Sequence, residues 1–548
     1  MAFNSIEYAI FFGLVFAVYW LLSHRGQNLF LLAASYFFYM AGPETDPLQP
    51  PWYFVGLLAV STVLDYVCSR EIFRQKAAFE GGEAAARARA RRVRNVWLMV
   101  SLVGNLGLLG FFKYTNFLLG AFGDVARALG AEVVMPHLEL LLPIGISFYT
   151  FQTLSYTIDV WRGRLTPEPS FRKFALFVVF FPQLVAGPIV RAHEFLPQLH
   201  RAPRLSAETM TRGLHRILIG VVKKAVLGDW IAAQFTDAIF NTPENYTSLE
   251  ILMALYAFTL QLYADFSGYS DIAIGVALLL GFTLPENFER PYQSRNLGEF
   301  WRRWHMTLST WLRDYVFFPL GGSRGAPGRV YFNLWLTMFL VGMWHGASWN
   351  FVIYSNLHAL AMLFNRWNRL RAGGPATGRV RAMWVTGMLL LFAAVYGLFV
   401  GQLQQGGAES LGAGAFAVAV FLFVAWLPET GGRLNTALHV LLTFHFTVLS
   451  RVFFRADDLD TSRKMIAGLL RFDTHGIRPG LITPWVWAAL LFGIGYHVLT
   501  PKGAVDRVGY AIFRRLPGPV IGVLLAALAL GVHLLLASGP RANIYFQF

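Results

Sequence analysis

The chain has 548 residues, of which 55% are hydrophobic and only 14% charged, and it carries 49 Phe, 16 Trp and a formal net charge of +15. Soluble proteins carry roughly a quarter charged residues, so this composition excludes an ordinary soluble domain and points to a chain that uses lipid as solvent, with aromatic belts at the interfaces. The single cysteine, Cys68, excludes a disulfide framework, a thiol relay or a cysteine zinc site, and the excess of Lys and Arg reads as positive cytosolic loops rather than as a nucleic-acid footprint.

Apolar stretches near the length of about 20 residues needed to span a bilayer recur along the whole chain. They lie near 7–23, 28–42, 52–68, 96–112, 140–160, 172–190, 212–230, 249–264, 268–284, 332–350, 351–366, 381–401, 411–427, 435–454, 484–499 and 518–538. Some are short or interrupted by Gly, Pro or a charge and are expected to be re-entrant, which leaves about eleven to thirteen crossings. The first stretch, from Tyr8 to Leu22, has no small-residue cleavage site and reads as a span rather than a signal peptide.

Loop charge sets the expected orientation. Residues 69–95 hold Arg70, Arg74, Lys76, Arg87, Arg89, Arg91, Arg92 and Arg94 and should be cytosolic, whereas GPETDPLQPP at 42–51 has no Lys or Arg and should face out. The N-terminus is then outside. The segment 501–517, with Lys502, Arg507, Arg514 and Arg515, is inside, so the tail RANIYFQF emerges outside. Within 69–95 the run AAARARARR predicts a basic amphipathic helix lying on anionic headgroups.

The densest polar content in apolar surroundings lies between 261 and 358. Asp265 and Asp271 occupy QLYADFSGYSDIAIG, where an unpaired carboxylate is expensive, and Gly268 and Gly275 permit a break or a close helix contact. In LPENFERPYQSRNLGEFWRRWHMTLSTWLRDYVFFPLGG, charges and aromatics alternate as in an interfacial or re-entrant helix; Arg302, Arg303 and Arg313 there suit an anionic ligand or lipid headgroups equally. The apolar run VYFNLWLTMFLVGMW then leads into His345 of WHGASWN. An ionisable side chain at membrane depth is a functional candidate, and a neutral imidazole takes a proton from an attacking hydroxyl near pH 7. His305 and His358 are the other candidates, and the residues alone do not choose among the three.

Taken in order, FQTLSYTIDVWRG, FPQLVAGPIVRAHEFLPQL, DFSGYSDIAIG, PENFERPY, EFWRRWHMTLSTWLRDYVFFPLGG, MWHGASWNFVIYSNLHAL and LSRVFFRA resemble the signature of the membrane-bound O-acyltransferase (MBOAT) family. The similarity is to its bacterial branch of alginate O-acetyltransferases and teichoic-acid D-alanyltransferases. It covers most of residues 1–456, which divides the chain into a transmembrane core at 1–456, a C-terminal transmembrane extension at 457–538 and a periplasmic tail at 539–548. The resemblance implies an all-α polytopic fold around a central conduit. It casts His345 as general base and His305 as its positioning or polarising partner. His358 stands where relatives often have His-Gly, but Ala359 follows it here, which favours a structural role; Asp265, Arg302, Arg303 and Asp314 are expected to hold the fold.

What the resemblance implies for function is an acetyltransferase of the bacterial inner membrane with acetyl-CoA as cytosolic donor and no resident cofactor or metal. Related systems carry a C-terminal aromatic hexapeptide with a Tyr as acyl relay, which points to Tyr545 in NIYFQF and to a periplasmic SGNH-type partner that acetylates an exopolysaccharide such as alginate. The residues also admit a simple interfacial aromatic tail, D-alanyl transfer to teichoic acid, acylation of a lipid, or an export subunit with no chemistry of its own. The Arg, Ala and Gly content and the fused hexapeptide favour acetylation.

Overall fold

The computed structural model describes residues 3, 5–41, 51–131, 133–371, 432–471, 476–499 and 504–535. Among them the regular structure is helical and no strand occurs, as an all-α chain in lipid requires: only helices satisfy their own backbone groups without water. Four described helices are long and apolar enough to cross a membrane: Tyr53–Gly81, Ala84–Ala128, Ser248–Leu279 and Arg433–Arg455. The pair Arg507–Phe513 and Gly518–Val532, bent by 119°, adds a fifth if it is one span. The larger number of expected crossings also counted shorter helices such as Ile6–Leu21 and Pro484–Leu499, together with the stretches at 381–401 and 411–427, which lie outside the described residues.

Two expectations are corrected by the structure. The stretches at 249–264 and 268–284 form one 32-residue helix, Ser248–Leu279, because Gly268 serves close packing rather than a break. A Cβ on Gly268 would lie 2.7 Å from the Gly220 carbonyl oxygen, and one on Gly220 would lie 2.6 Å from the Gly268 carbonyl oxygen. The Ala207–Val222 helix therefore touches Ser248–Leu279 backbone to backbone, the approach that small residues permit in membranes. Likewise the arginine run at 84–94 is not a separate amphipathic helix. It forms the first turns of the 45-residue helix Ala84–Ala128, which at 1.5 Å per residue is about 68 Å long and overshoots the bilayer. Arg94 is tied down there, with its guanidinium 4.1 Å over the Phe79 ring and a hydrogen bond to the Trp161 carbonyl.

The glycine contact continues into an ion-paired centre. Beyond Val222 the chain widens into π-helical turns over Lys223–Trp230, which aim Lys224 inward. Its ammonium bonds Asp229 at 2.6 Å and also meets Asp265, and all three side chains are buried. Asp271 is paired in turn with Arg216 at 2.6 Å and Lys223 at 2.7 Å. These carboxylates are paired with cations of the neighbouring Ala207–Val222 helix and the turns that follow it. The stretch at 172–190 is broken: Phe171–Val179 stops at Phe180 and a short helix, Phe181–Leu184, follows.

Gly268→Ala is expected to destabilise the protein by about 1–3 kcal/mol, since neither backbone can yield. Gly56→Ala, at a site with nothing within 4 Å of the added Cβ, serves as control. Thermal unfolding of the two purified variants in detergent checks this; equal melting temperatures would show the contact to be slack.

Candidate active site

The helix Pro327–His345 begins with Pro327 in its first turn, where the missing N–H costs nothing, and ends at His345. A helix that stops in an apolar interior leaves its last carbonyls without intrahelical partners. Here the Ala84–Ala128 helix supplies them. Lys113 donates to the carbonyls of Trp344 at 2.5 Å and His345 at 3.1 Å, and the Tyr114 hydroxyl donates to the Met343 carbonyl at 2.7 Å. A cation at a helix C-terminus also complements the helix dipole. Gly346 turns the chain away, with ordinary extended backbone (φ −159°). A Cβ there would lie 2.0 Å from the Phe351 ring, so glycine is needed for packing. The result is a fixed backbone that sets the His345 ring among aromatics: Trp344 at 5.0 Å and Phe454 at 5.3 Å between centroids. Only 3% of His345 is exposed.

His305 sits at the junction of two short helices, Leu297–Arg303 and Met306–Leu312, in the left-handed region with φ 43°. Strain of this kind in a residue other than glycine persists only where surroundings impose it, and it gathers at functional sites. The imposing partner is Asn287. Its Oδ1 accepts from Thr307 N–H at 3.2 Å and Thr307 Oγ1 at 2.9 Å, and it lies 3.1 Å from His305 Nδ1. An oxygen holding a backbone N–H is an acceptor, so Nδ1 of His305 is the donor and Nε2 carries the lone pair in the neutral ring. Phe266 stands edge-on to this ring at 4.7 Å and Trp344 at 5.4 Å. Trp344 thus touches both histidines.

Two cavities lie beside this pair, one with His345 in its wall and the other lined by residues that flank His305. One, of about 60 Å³, is lined by His345, Trp344, Lys113, Phe148 and the 142–147 segment. The other, of about 300 Å³, is lined by Asn287 and Met306, which flank His305, and by Ser267, Arg290 and Tyr496. His305 joins them, bonded to a wall of the second cavity and ring-packed on Phe148 and Trp344 of the first. Their linings connect to different parts of the bundle. Ile146, on the small cavity, begins the Ile146–Trp161 helix, whose far end meets Arg94 of the basic segment. The large cavity holds Glu286, three residues from Thr283, whose carbonyl is bonded by Gln198. His200 beside it is held at 2.8 Å by Lys173, two residues past Phe171, which packs on Tyr66.

The structure therefore brings His345 and His305 together and keeps other candidates apart. His358 is fully buried, with Nε2 3.1 Å from Ser450 Oγ and its ring against Tyr354 and Trp301. That is a packing role. Arg303 pairs with Glu299, Asp314 with Arg191 and Arg313, and Arg302 is exposed. Tyr545 lies outside the described residues. Lys113, Asn287 and Arg451 escaped the sequence reading. Lys113 had a signal, as a lone cation inside an apolar run. Arg451, wholly buried, reaches over Trp304 and Phe454 and bonds the Tyr354 hydroxyl at 3.1 Å. It could have been noticed for the same reason in the 435–454 stretch.

Comparison with known proteins gives the family. The profile of MBOAT, the membrane-bound O-acyltransferase family, matches residues 138–398, which include His305, His345 and the lining of both cavities except Lys113 and Tyr496. The chain is 40% identical over 394 residues to a protein of Azotobacter vinelandii named probable alginate O-acetylase AlgI, covering 71% of this chain and 73% of that one. It is 30% identical over 486 residues to the peptidoglycan O-acetyltransferase of Helicobacter pylori, covering 83% and 77%. It is 33% identical over 249 residues to the teichoic acid D-alanyltransferase of Bacillus subtilis, covering 43% and 62%. With likeness of this extent and a buried histidine pair between two cavities, the chain belongs to the membrane-bound O-acyltransferase family and is a multi-pass membrane O-acyltransferase.

Proposed function

We propose that this enzyme moves acetyl groups from acetyl-CoA, on the cytosolic side of the bacterial inner membrane, to the tail hydroxyl of Tyr545. A periplasmic SGNH-type partner would then collect them and O-acetylate an exported polysaccharide such as alginate. The observation that carries the reading is His345 itself: an imidazole fixed at a helix end, on the wall of one cavity, and packed through Trp344 against His305, whose neighbours Asn287 and Met306 line the other.

In the proposed reaction His345 removes the proton of the Tyr545 hydroxyl. The phenolic oxygen attacks the thioester carbonyl, the C–O bond forms and the C–S bond breaks. The CoA thiolate leaves and takes the proton back from the imidazolium, so acetyl becomes an aryl ester and His345 returns to neutral. His305, with Nδ1–H on Asn287, positions the site and offers Nε2 towards the conduit. The orientation follows from charge: Arg70 donates to the Pro169 carbonyl and Arg94 to that of Trp161. Residues 69–95 and the segment after Trp161, with Arg162, Arg164, Arg172 and Lys173, thereby share one end, which we assign to the cytosol. Both termini are then periplasmic.

The favoured polymer rests on the name of the Azotobacter vinelandii relative; D-alanyl transfer has support only from relatives matched over less of the chain.

His345→Ala is expected to lower acetyl transfer by about 10²–10⁴-fold, the usual contribution of a general base, with the protein still monodisperse. The measurement is label from [acetyl-¹⁴C]acetyl-CoA retained on the purified protein and on polymer made by cells. Full transfer by this variant would reduce the chain to a scaffold for chemistry done elsewhere.

Tyr545→Phe is expected to remove the label that peptide mass spectrometry places on the C-terminal peptide, and to abolish polymer acetylation at unchanged protein level. Acetylated polymer from the Phe variant would eliminate the relay and leave direct transfer to the partner.

A further inference from the structure

The larger cavity contains a group that the reaction does not use. Arg290 is 8% exposed, and neither Nη1 nor Nη2 of its guanidinium has a hydrogen-bond partner among the described residues. The other cations of the cavity are already neutralised: Arg216 by Asp271 and Glu286, and Lys223 by Asp271. Glu289 also lines the cavity. The Arg290 guanidinium lies 5.7 Å from the centre of the Tyr496 ring, so one face is occupied by an aromatic and the edge is left for the cavity. Ser267 Oγ, 3% exposed and likewise without a partner, lines the same space.

A buried guanidinium with two unfilled donors is costly unless a ligand completes it. Its planar fork matches two oxygens of a phosphate. Arg290 is held where it is by its backbone, which has φ 47° immediately before Pro291. A residue before proline ordinarily adopts extended conformations, so this geometry is imposed rather than relaxed.

We infer that Arg290 and Ser267 form a phosphate-ester site on the donor side of His305, and that its occupant is the phosphate of a phosphopantetheine thioester. This rests on the acetyl-transfer reading for the identity of the thioester, but not for the anion site itself. The cavity runs from Arg290 to Asn287 and Met306, the two residues that flank His305. A pantetheine arm anchored by its phosphate at Arg290 is thereby directed at the histidine pair. The same phosphate occurs in coenzyme A, in a carrier protein and, with different substituents, in phospholipids. The last is relevant because an apolar groove of about 730 Å³ adjoins the cavity and shares Lys223, Tyr263 and Tyr496 with it.

The test uses the purified full-length protein in maltoside detergent and two non-reacting probes, 4′-phosphopantetheine and pantetheine, with binding measured by isothermal calorimetry. The native protein should bind the phosphorylated probe at least tenfold more tightly. Arg290→Gln should abolish that preference, and Arg290→Lys, which keeps charge but loses the fork, should retain part of it at native thermal stability. No preference in the native protein, or an equal preference in Arg290→Gln, overturns the proposal. So does a phospholipid that copurifies with the native protein and is lost from Arg290→Gln in native mass spectrometry while probe affinities stay level. Coenzyme A and holo-carrier protein, compared as competitors of the phosphorylated probe, tell the two donor sources apart. Neither probe carries an acetyl group. A native protein inactive with acetyl-CoA that still shows the Arg290-dependent preference would therefore remove the acetyl-CoA reading and leave the phosphate site standing.

Discussion

Every feature of the site depends on how a helix is allowed to end inside an apolar bundle. The final carbonyls of Pro327–His345 have no water and no next turn to bond. Lys113 and Tyr114 of a different helix take them, at 2.5–3.1 Å. This satisfies the backbone, and it also clamps the rotation and depth of the one turn that carries His345. The polypeptide can then leave through Gly346 without straightening, because Phe351 fills the space a side chain would take. Without that clamp, the His345 ring would lie on a frayed end, and a base whose position wanders by an ångström loses much of its use.

A second constraint acts on the partner histidine from the other direction. His305 is placed by a strained backbone and by one oxygen, Asn287 Oδ1, which serves three donors. Because Thr307 fixes that oxygen as an acceptor, the tautomer of His305 is fixed too. Its Nε2 is then an acceptor in the neutral ring. The two histidines thus reach the same aromatic wall, Trp344, by unrelated means: one through a capped helix end, the other through an asparagine bridge. Neither arrangement needs a buried carboxylate, the usual orienting group. Buried carboxylates such as Asp65, Asp265 and Asp271 are spent elsewhere, on Ser101 and Asn105, on Lys224, and on Arg216 and Lys223.

Much of this was legible in the sequence, and the parts that were not share a reason. The membrane class followed from composition, and His345, His305 and His358 stood out as candidates because ionisable residues in apolar runs are local signals; only the family resemblance singled out His345 and His305. The continuity of Ser248–Leu279 was misjudged because a glycine reads the same whether it breaks a helix or lets another helix touch it; only Gly220, 48 positions earlier in the chain, decides between them. The arginine run was read as a separate surface helix for a similar reason. Helical periodicity does not reveal whether a helix stops, and here it continues into the span for 45 residues. Lys113 and Asn287 were missed because their importance lies in what they touch, 231 and 18 residues away in the chain. Sequence spacing carries no information on such pairings until the helices are packed.

The difference in size between the two cavities constrains how transfer must be divided. The space at His345 is about 60 Å³ and that beside His305 about 300 Å³. A polymer approaching His345 through the smaller space would have to displace Leu142, Pro143 and Phe148, which line it. A single tyrosine side chain would need much less room, and the larger cavity lies beside His305 instead. Under the proposed relay, transfer would run in two stages: the small acyl group would pass the Trp344 wall first, and the carbohydrate would be met outside the membrane. On this view, the polymer that is finally acetylated leaves no mark on the interior of the chain. Relatives whose names refer to alginate, peptidoglycan and teichoic acid would then be expected to resemble one another most around the two histidines and to differ at the surface where the acyl group is handed on.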